Sequence, residues 1–122
     1  MGIFTVPIQI SAAEGGESME VEAMVDTGSF YTMLPDRLLR ELGVKPVGTR
    51  RIHLADGRRI LMNYGRAWVT VEGESEGTLV AFGEDDGPVL LGAYTLQGLA
   101  LAVDPAKERL VPSDIIMYRA AS

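Results

Sequence analysis

Hydrophobic and polar residues alternate near the start of the chain. Phe4, Val6, Ile8 and Ile10 are separated by Thr5, Pro7 and Gln9, and Met19, Val21 and Ala23 by Glu20 and Glu22. A period of two sends one set to a core face and the other to solvent, so both stretches are predicted as half-buried strands. Between them Ser11–Glu17 is small and polar with two glycines, which suits a hairpin loop and makes the strands antiparallel neighbours. The second strand then turns continuously apolar at Ala23-Met24-Val25 and runs into Asp26, placing an acid where a buried strand leaves the core.

After Phe30–Leu34, Pro35 can begin a turn and Asp36 can cap a short helix through Leu42, which Gly43 ends; Leu38, Leu39 and Leu42 form its apolar face. Arg51–Leu54 and Arg59–Met62 flank Ala55-Asp56-Gly57-Arg58. Asp-Gly tolerates positive φ, so a projecting tight hairpin is expected there. Further strands are predicted at Arg66–Val71, Thr78–Phe82, Val89–Leu91, Leu99–Val103 and Arg109–Val111, with a short helix over Ala93–Gln97. The pattern is that of an all-β chain with one or two short helices. Its 122 residues, 47% of them hydrophobic, suit a single domain spanning residues 1–122 around one core.

Composition removes several classes of function. With 11 basic and 17 acidic residues the net charge is −6, and Arg50-Arg51 and Arg58-Arg59 are only short basic pairs, which argues against a nucleic-acid partner. The absence of cysteine excludes disulfides, a thiol nucleophile and Cys-ligated zinc, and suits a reducing compartment. Apolar runs are too short to span a bilayer and no leader pattern opens the chain, so a soluble cytoplasmic protein without membrane attachment is expected. Met1-Gly2 lacks the Ser or Thr that myristoylation wants at the sixth position, which is Val6. His53 is the only histidine, so neither a multi-histidine metal site nor a Ser-His-Asp triad can be assembled, and it reads as a strand residue. Glu84-Asp85-Asp86-Gly87 lacks the spaced acids of a calcium loop and reads as a solvated turn. No metal or organic cofactor is expected.

Asp26 carries the candidate chemistry. Two carboxylates sharing one proton can cleave a peptide bond, one taking a proton from water while the other donates to the carbonyl oxygen. Thr27 supplies a hydroxyl and Gly28 admits close backbone approach, so Asp26-Thr27-Gly28 can hold its acid through local hydrogen bonds. No second Asp-Thr-Gly or Asp-Ser-Gly follows a buried strand elsewhere in the sequence; Asp56-Gly57 and Asp86-Gly87 lack that setting.

Val25-Asp26-Thr27-Gly28-Ser29 followed by Leu34-Pro35, the hairpin at Ala55-Asp56-Gly57, and Val89-Leu90-Leu91-Gly92 before a helical segment together resemble the retropepsin-like aspartic proteases, over most of the chain. The resemblance implies a closed β-barrel of the acid protease fold and a homodimer in which each subunit contributes Asp26, Thr27 and Gly28, the threonines bracing the loops across the dimer. It also implies a flap at Ala55, Asp56 and Gly57 and an extended peptide substrate. Phe30-Tyr31 and the charged flap, with Arg58-Arg59 just past its tip, depart from the viral enzymes; Phe82-Gly83 and Val103-Asp104-Pro105 are closer to cellular, bacterial-type members. Arg37, Arg40, Arg58 and Arg59 read as surface charges, with substrate contact by Arg58 or Arg59 near the flap as the alternative. Ile3-Phe4 and Ile115–Tyr118 are apolar terminal stretches that, by the same resemblance, can pair between subunits. The expected activity is an aspartic endopeptidase working at acidic to mildly acidic pH. The alternative is a non-catalytic dimerisation or peptide-binding module on the same fold, which takes a peptide by strand addition.

Overall fold

In the computed structural model, which describes residues 4–118, the opening alternation becomes β1 (Thr5–Ser11), with Val6, Ile8 and Ile10 buried and Thr5, Pro7 and Gln9 exposed. It pairs antiparallel with β2 (Ser18–Val25), Thr5 opposite Met24. The chain continues through β3 (Thr32–Pro35), α1 (Asp36–Glu41), β4 (Pro46–His53), β5 (Arg59–Val71), β6 (Glu74–Gly83), β7 (Leu90–Leu91), α2 (Ala93–Gly98), β8 (Leu101–Asp104) and β9 (Arg109–Pro112).

The main sheet runs β1-β2-β7-β3-β6-β5-β4, and β1 also pairs with β5 through Gln9–Ser11 against Trp68–Thr70. That extra ladder closes six strands into a barrel and removes their edges, leaving β4 projecting with the first half of β5 as a hairpin. Inside lie Ile8, Ile10, Leu34, Leu39, Val69 and Leu91, each at most 1% exposed. Burying such side chains contributes about 1.5–3 kcal/mol apiece relative to exposure, which makes this core the main stabilising element. β8 and β9 form a separate antiparallel ribbon that adds Leu101 and Leu110 to the same core.

Several elements differ from the sequence pattern, each for a tertiary reason. Arg59–Met62 and Arg66–Val71 are one strand, because Gly65 does not break β5 but lets another segment cross it. A Cβ there would lie 2.6 Å from the Lys45 carbonyl oxygen and 3.1 Å from the Phe82 ring. The β5–β6 hairpin turns on Glu72 and Gly73 at φ 52° and 80°, and its polar arm from Glu74 to Gly77 extends the expected strand at Thr78–Phe82. β8 begins at Leu101 rather than Leu99, since Leu99 closes α2 and Ala100 takes φ 56°.

Asp36 is not a cap. It opens the first turn of α1, after Pro35, and pairs with Arg40 at 2.8 Å. The α1 amide of Arg37 donates instead to Asp85 Oδ1 at 2.9 Å, so the acidic loop expected to be merely solvated supplies a carboxylate to this helix start. Gly43 follows the helix at φ 88°, as its sequence position implies. Ile115–Tyr118 is exposed and outside any strand; Met1-Gly2, Ile3 and residues 119–122 lie outside the described residues. No helix among the described residues is long and apolar enough to cross a membrane.

Candidate active site

β7 is only two residues long, yet it lies between β2, with which it is parallel, and β3, with which it is antiparallel. These are the strands entering and leaving the Asp26 loop, so the loop is held from the middle. The Asp26 amide donates to the Leu91 carbonyl at 3.1 Å and the Met24 amide to Val89 at 2.9 Å. Beyond β7, the first amides of α2 have no partner within their own helix. Ala93 and Tyr94 donate theirs to the carbonyls of Ser29 and Phe30, both at 2.9 Å, and so tie the far side of the loop to the helix.

Gly92 makes this crossing possible. A Cβ at this position would lie 2.5 Å from the Tyr31 carbonyl oxygen and 2.7 Å from that of Phe30. Its amide donates to Thr32 Oγ1 at 3.0 Å, and the Thr32 hydroxyl shares a 2.6 Å hydrogen bond with that of Thr95, which in turn lies 2.9 Å from the Thr78 hydroxyl. All three threonines are buried. This chain of hydroxyls joins β3, α2 and β6 beneath the loop and gives each buried polar group a partner.

The Asp26 carboxylate is half-buried. Oδ1 accepts from the Gly28 amide and Oδ2 from the Ser29 hydroxyl, both at 3.0 Å. The expected local hydrogen bonds therefore exist, but Ser29 makes the one assigned in outlook to Thr27. Thr27 is exposed, and its hydroxyl has no partner among the described residues. At Gly28 a Cβ would lie 3.2 Å from Asp26 Oδ1, which explains the small residue there.

An open cleft of about 660 Å³ lies over this loop. Asp26 and Gly28 line it together with Ala55, while Thr27, Asp56 and Gly57 do not. Along β4 it is bounded by Arg50–His53, and its apolar lining includes Phe30, Tyr31, Met33, Met62 and Leu90. Asp26 is the sole acidic residue among the lining groups. The hairpin tip turns at Leu54–Arg58, with Gly57 at φ 92°. Asp56 there accepts from the Arg58 amide at 3.0 Å and its guanidinium at 2.8 Å, which together hold the exposed carboxyl below its ordinary pKa. Neither Arg58 nor Arg59 lines the cleft.

The pair Phe30-Tyr31 founds an aromatic cluster that the sequence did not explain. Phe30 and Tyr31 both pack edge-on against Tyr94, and Tyr31 stacks nearly parallel to Tyr64 with ring centres 6.3 Å apart. The Arg50 guanidinium sits over the Tyr64 ring, 4.0 Å from its centre, where the negative face of the ring attracts the cation. Arg50 and the buried threonines escaped the sequence reading. Period-two alternation on β4, which puts Arg50 on the same face as half-buried Ile52, was the available signal for the arginine; the threonine chain has no local signature.

Residues 6–95 match a family model described as aspartyl protease. No curated protein matches the chain. Among solved structures, the chain is similar to the simian foamy virus (mac) protease in solution, at 17% identity and a TM-score of 0.56, covering 76% of this chain and 91% of that one. It is also similar to the EIAV protease complexed with the inhibitor HBY-793, at 19% identity and a TM-score of 0.59, covering 80% and 88% respectively.

Proposed function

The chain belongs to the aspartyl protease family and has the retropepsin-like acid protease fold, and on that premise we propose that it is an aspartic endopeptidase whose site is completed by a second copy of itself. The observation that carries this reading is Asp26: an accessible carboxylate on a braced loop at a peptide-sized cleft, with no second acid among the described residues lining it. The similar solved structures are named as proteases, one of them holding an inhibitor.

In the proposed mechanism the two Asp26 carboxylates share one proton. The ionised one takes a proton from water as its oxygen attacks the peptide carbonyl carbon, and the protonated one donates to the carbonyl oxygen. Collapse of the tetrahedral intermediate breaks the C–N bond and delivers a proton to the departing amine, returning the pair to its starting charge. Like-charge repulsion keeps both from ionising together, so activity is greatest at acidic to mildly acidic pH, where the pair carries one proton. Thr27, exposed beside Asp26, is free to brace the loop across the dimer. The outer edge of β4 ends the main sheet and offers backbone groups to an extended peptide.

The test is Asp26→Asn. It removes the ionisable group while its Oδ1 still accepts from the Gly28 amide and its Nδ2 donates to the Ser29 hydroxyl, which can turn to accept. Cleavage should vanish with circular dichroism and dimerisation preserved, and cleavage retained by pure variant would refute the assignment.

A further inference from the structure

We propose that Arg50 forms a carboxylate-binding subsite in the Asp26 cleft, so that the substrate is a peptide carrying Asp or Glu flanking the apolar pair at the scissile bond; this rests on the proteolytic reading above. Four observations converge on it. First, Arg50 lines the same cleft as Asp26, whereas the acids of the chain otherwise stay out of the lining. Second, its guanidinium is held in place from below. Gly48 pairs with Tyr64 across the hairpin, and a Cβ at Gly48 would come within 3.0 Å of that ring, so glycine leaves room for Tyr64 against the strand. Arg50, two residues on and on the same face, then stacks on the ring, whose other neighbour is Tyr31 at the exit of the Asp26 loop.

Third, Arg50 has donors to spare. Its Nη1 gives a hydrogen bond to the Thr49 carbonyl at 3.2 Å and the Tyr31 and Tyr64 hydroxyls stand close enough to raise its pKa, but a guanidinium has five N–H donors, and among the described residues no carboxylate lies within ion-pair distance of it, unlike Arg37, Arg40, Arg58 and Arg109. A guanidinium stays protonated at every working pH and presents a planar fork matched to a carboxylate. Fourth, charge is segregated. The hairpin over residues 46–65 carries Arg50, Arg51, Arg58 and Arg59 against the one acid Asp56, in a chain of net charge −6. An acidic peptide is thus disfavoured over most of the surface and favoured over the cleft, and the apolar lining of Met33, Met62 and Leu90 takes its uncharged neighbours.

The experiment separates this inference from the protease reading by measuring binding and cleavage independently. Paired peptides differing only by Glu or Gln at each position flanking a central apolar pair are titrated against Asp26→Asn protein by calorimetry, and turned over by the unsubstituted protein. At one position the Glu peptide should bind about tenfold more tightly and be cleaved with correspondingly higher kcat/KM, the effect of one charge-assisted fork. Arg50→Gln in either background should reduce that preference to less than twofold, and Arg50→Glu should turn it toward a Lys peptide, a reversal that a merely structural role for Arg50 does not produce. Equal binding of Glu and Gln peptides at every position, or a Glu preference that survives Arg50→Gln, overturns the subsite. A Glu preference in binding with no peptide cleaved upholds the subsite and overturns only the proteolytic reading.

Discussion

The amide of Asp26 donates to the carbonyl of Leu91 at 3.1 Å, so the candidate catalytic acid leaves β2 while its own backbone is still paired with β7. One residue later, Gly92 passes so close to Tyr31 that no side chain fits. Gly92→Ala is therefore expected to destabilise the fold by about 1–3 kcal/mol, the usual cost of forcing extra atoms into a packed site. It should also displace the loop, lowering kcat/KM at least tenfold under conditions where the variant is fully folded. Urea unfolding and peptide cleavage check the two effects; a variant matching the parent in both would remove Gly92 from the loop's support.

Thr95 tests the buried hydroxyl chain. Thr95→Val keeps the shape but leaves Thr78 without its side-chain partner and Thr32 with only the Gly92 amide. A loss of about 1–3 kcal/mol is expected for the unsatisfied groups. Thr95→Ser, which retains the hydroxyl, should lose less, and a urea midpoint for the valine variant equal to the parent would contradict the network.

How much of this was legible in the sequence follows from which contacts are local. Alternation in β1 and β2, Asp26 at a strand's end, the Asp56-Gly57 turn and Gly43 all act within a few residues, and each was readable. The bond from Arg37 to Asp85, the meeting of Thr32 with Thr95, and the crossing of Lys45 over Gly65 join residues brought together only by the closed barrel. Gly65 illustrates the limit: a glycine between two apolar runs reads as a strand break, and only the crossing backbone distinguishes a break from a close approach. For Arg50 the strand alternation was present, but its value depends on Tyr64, which reaches it across the hairpin.

Asp85 should matter beyond its exposed loop. Asp85→Ala removes the acceptor for the Arg37 amide and is expected to cost about 0.5–2 kcal/mol, as loss of a helix cap does. Asp85→Asn, which keeps an acceptor oxygen, should cost less. Thermal unfolding of both variants decides it; equal behaviour of the alanine variant and the parent would show the contact to be dispensable.

The hairpin tip makes a pH prediction. The Arg58 amide and guanidinium lower the Asp56 pKa in the folded chain, so the clasp is fully formed above the unfolded value of about 3.9 and is lost as pH falls through the lowered folded value. The tip thus keeps its charge pair throughout the mildly acidic range expected for activity. In an NMR titration the Arg58 amide should shift with a midpoint below the ordinary aspartate range, and a midpoint at or above that range would contradict the clasp.

The shared site is tested most directly by mixing subunits. Unsubstituted and Asp26→Asn chains, combined at fixed total concentration and allowed to exchange, should show activity falling as the square of the unsubstituted fraction, because every mixed pair lacks one carboxylate. Activity that instead falls in simple proportion to that fraction would show each subunit acting alone and would contradict a site built from two copies of Asp26.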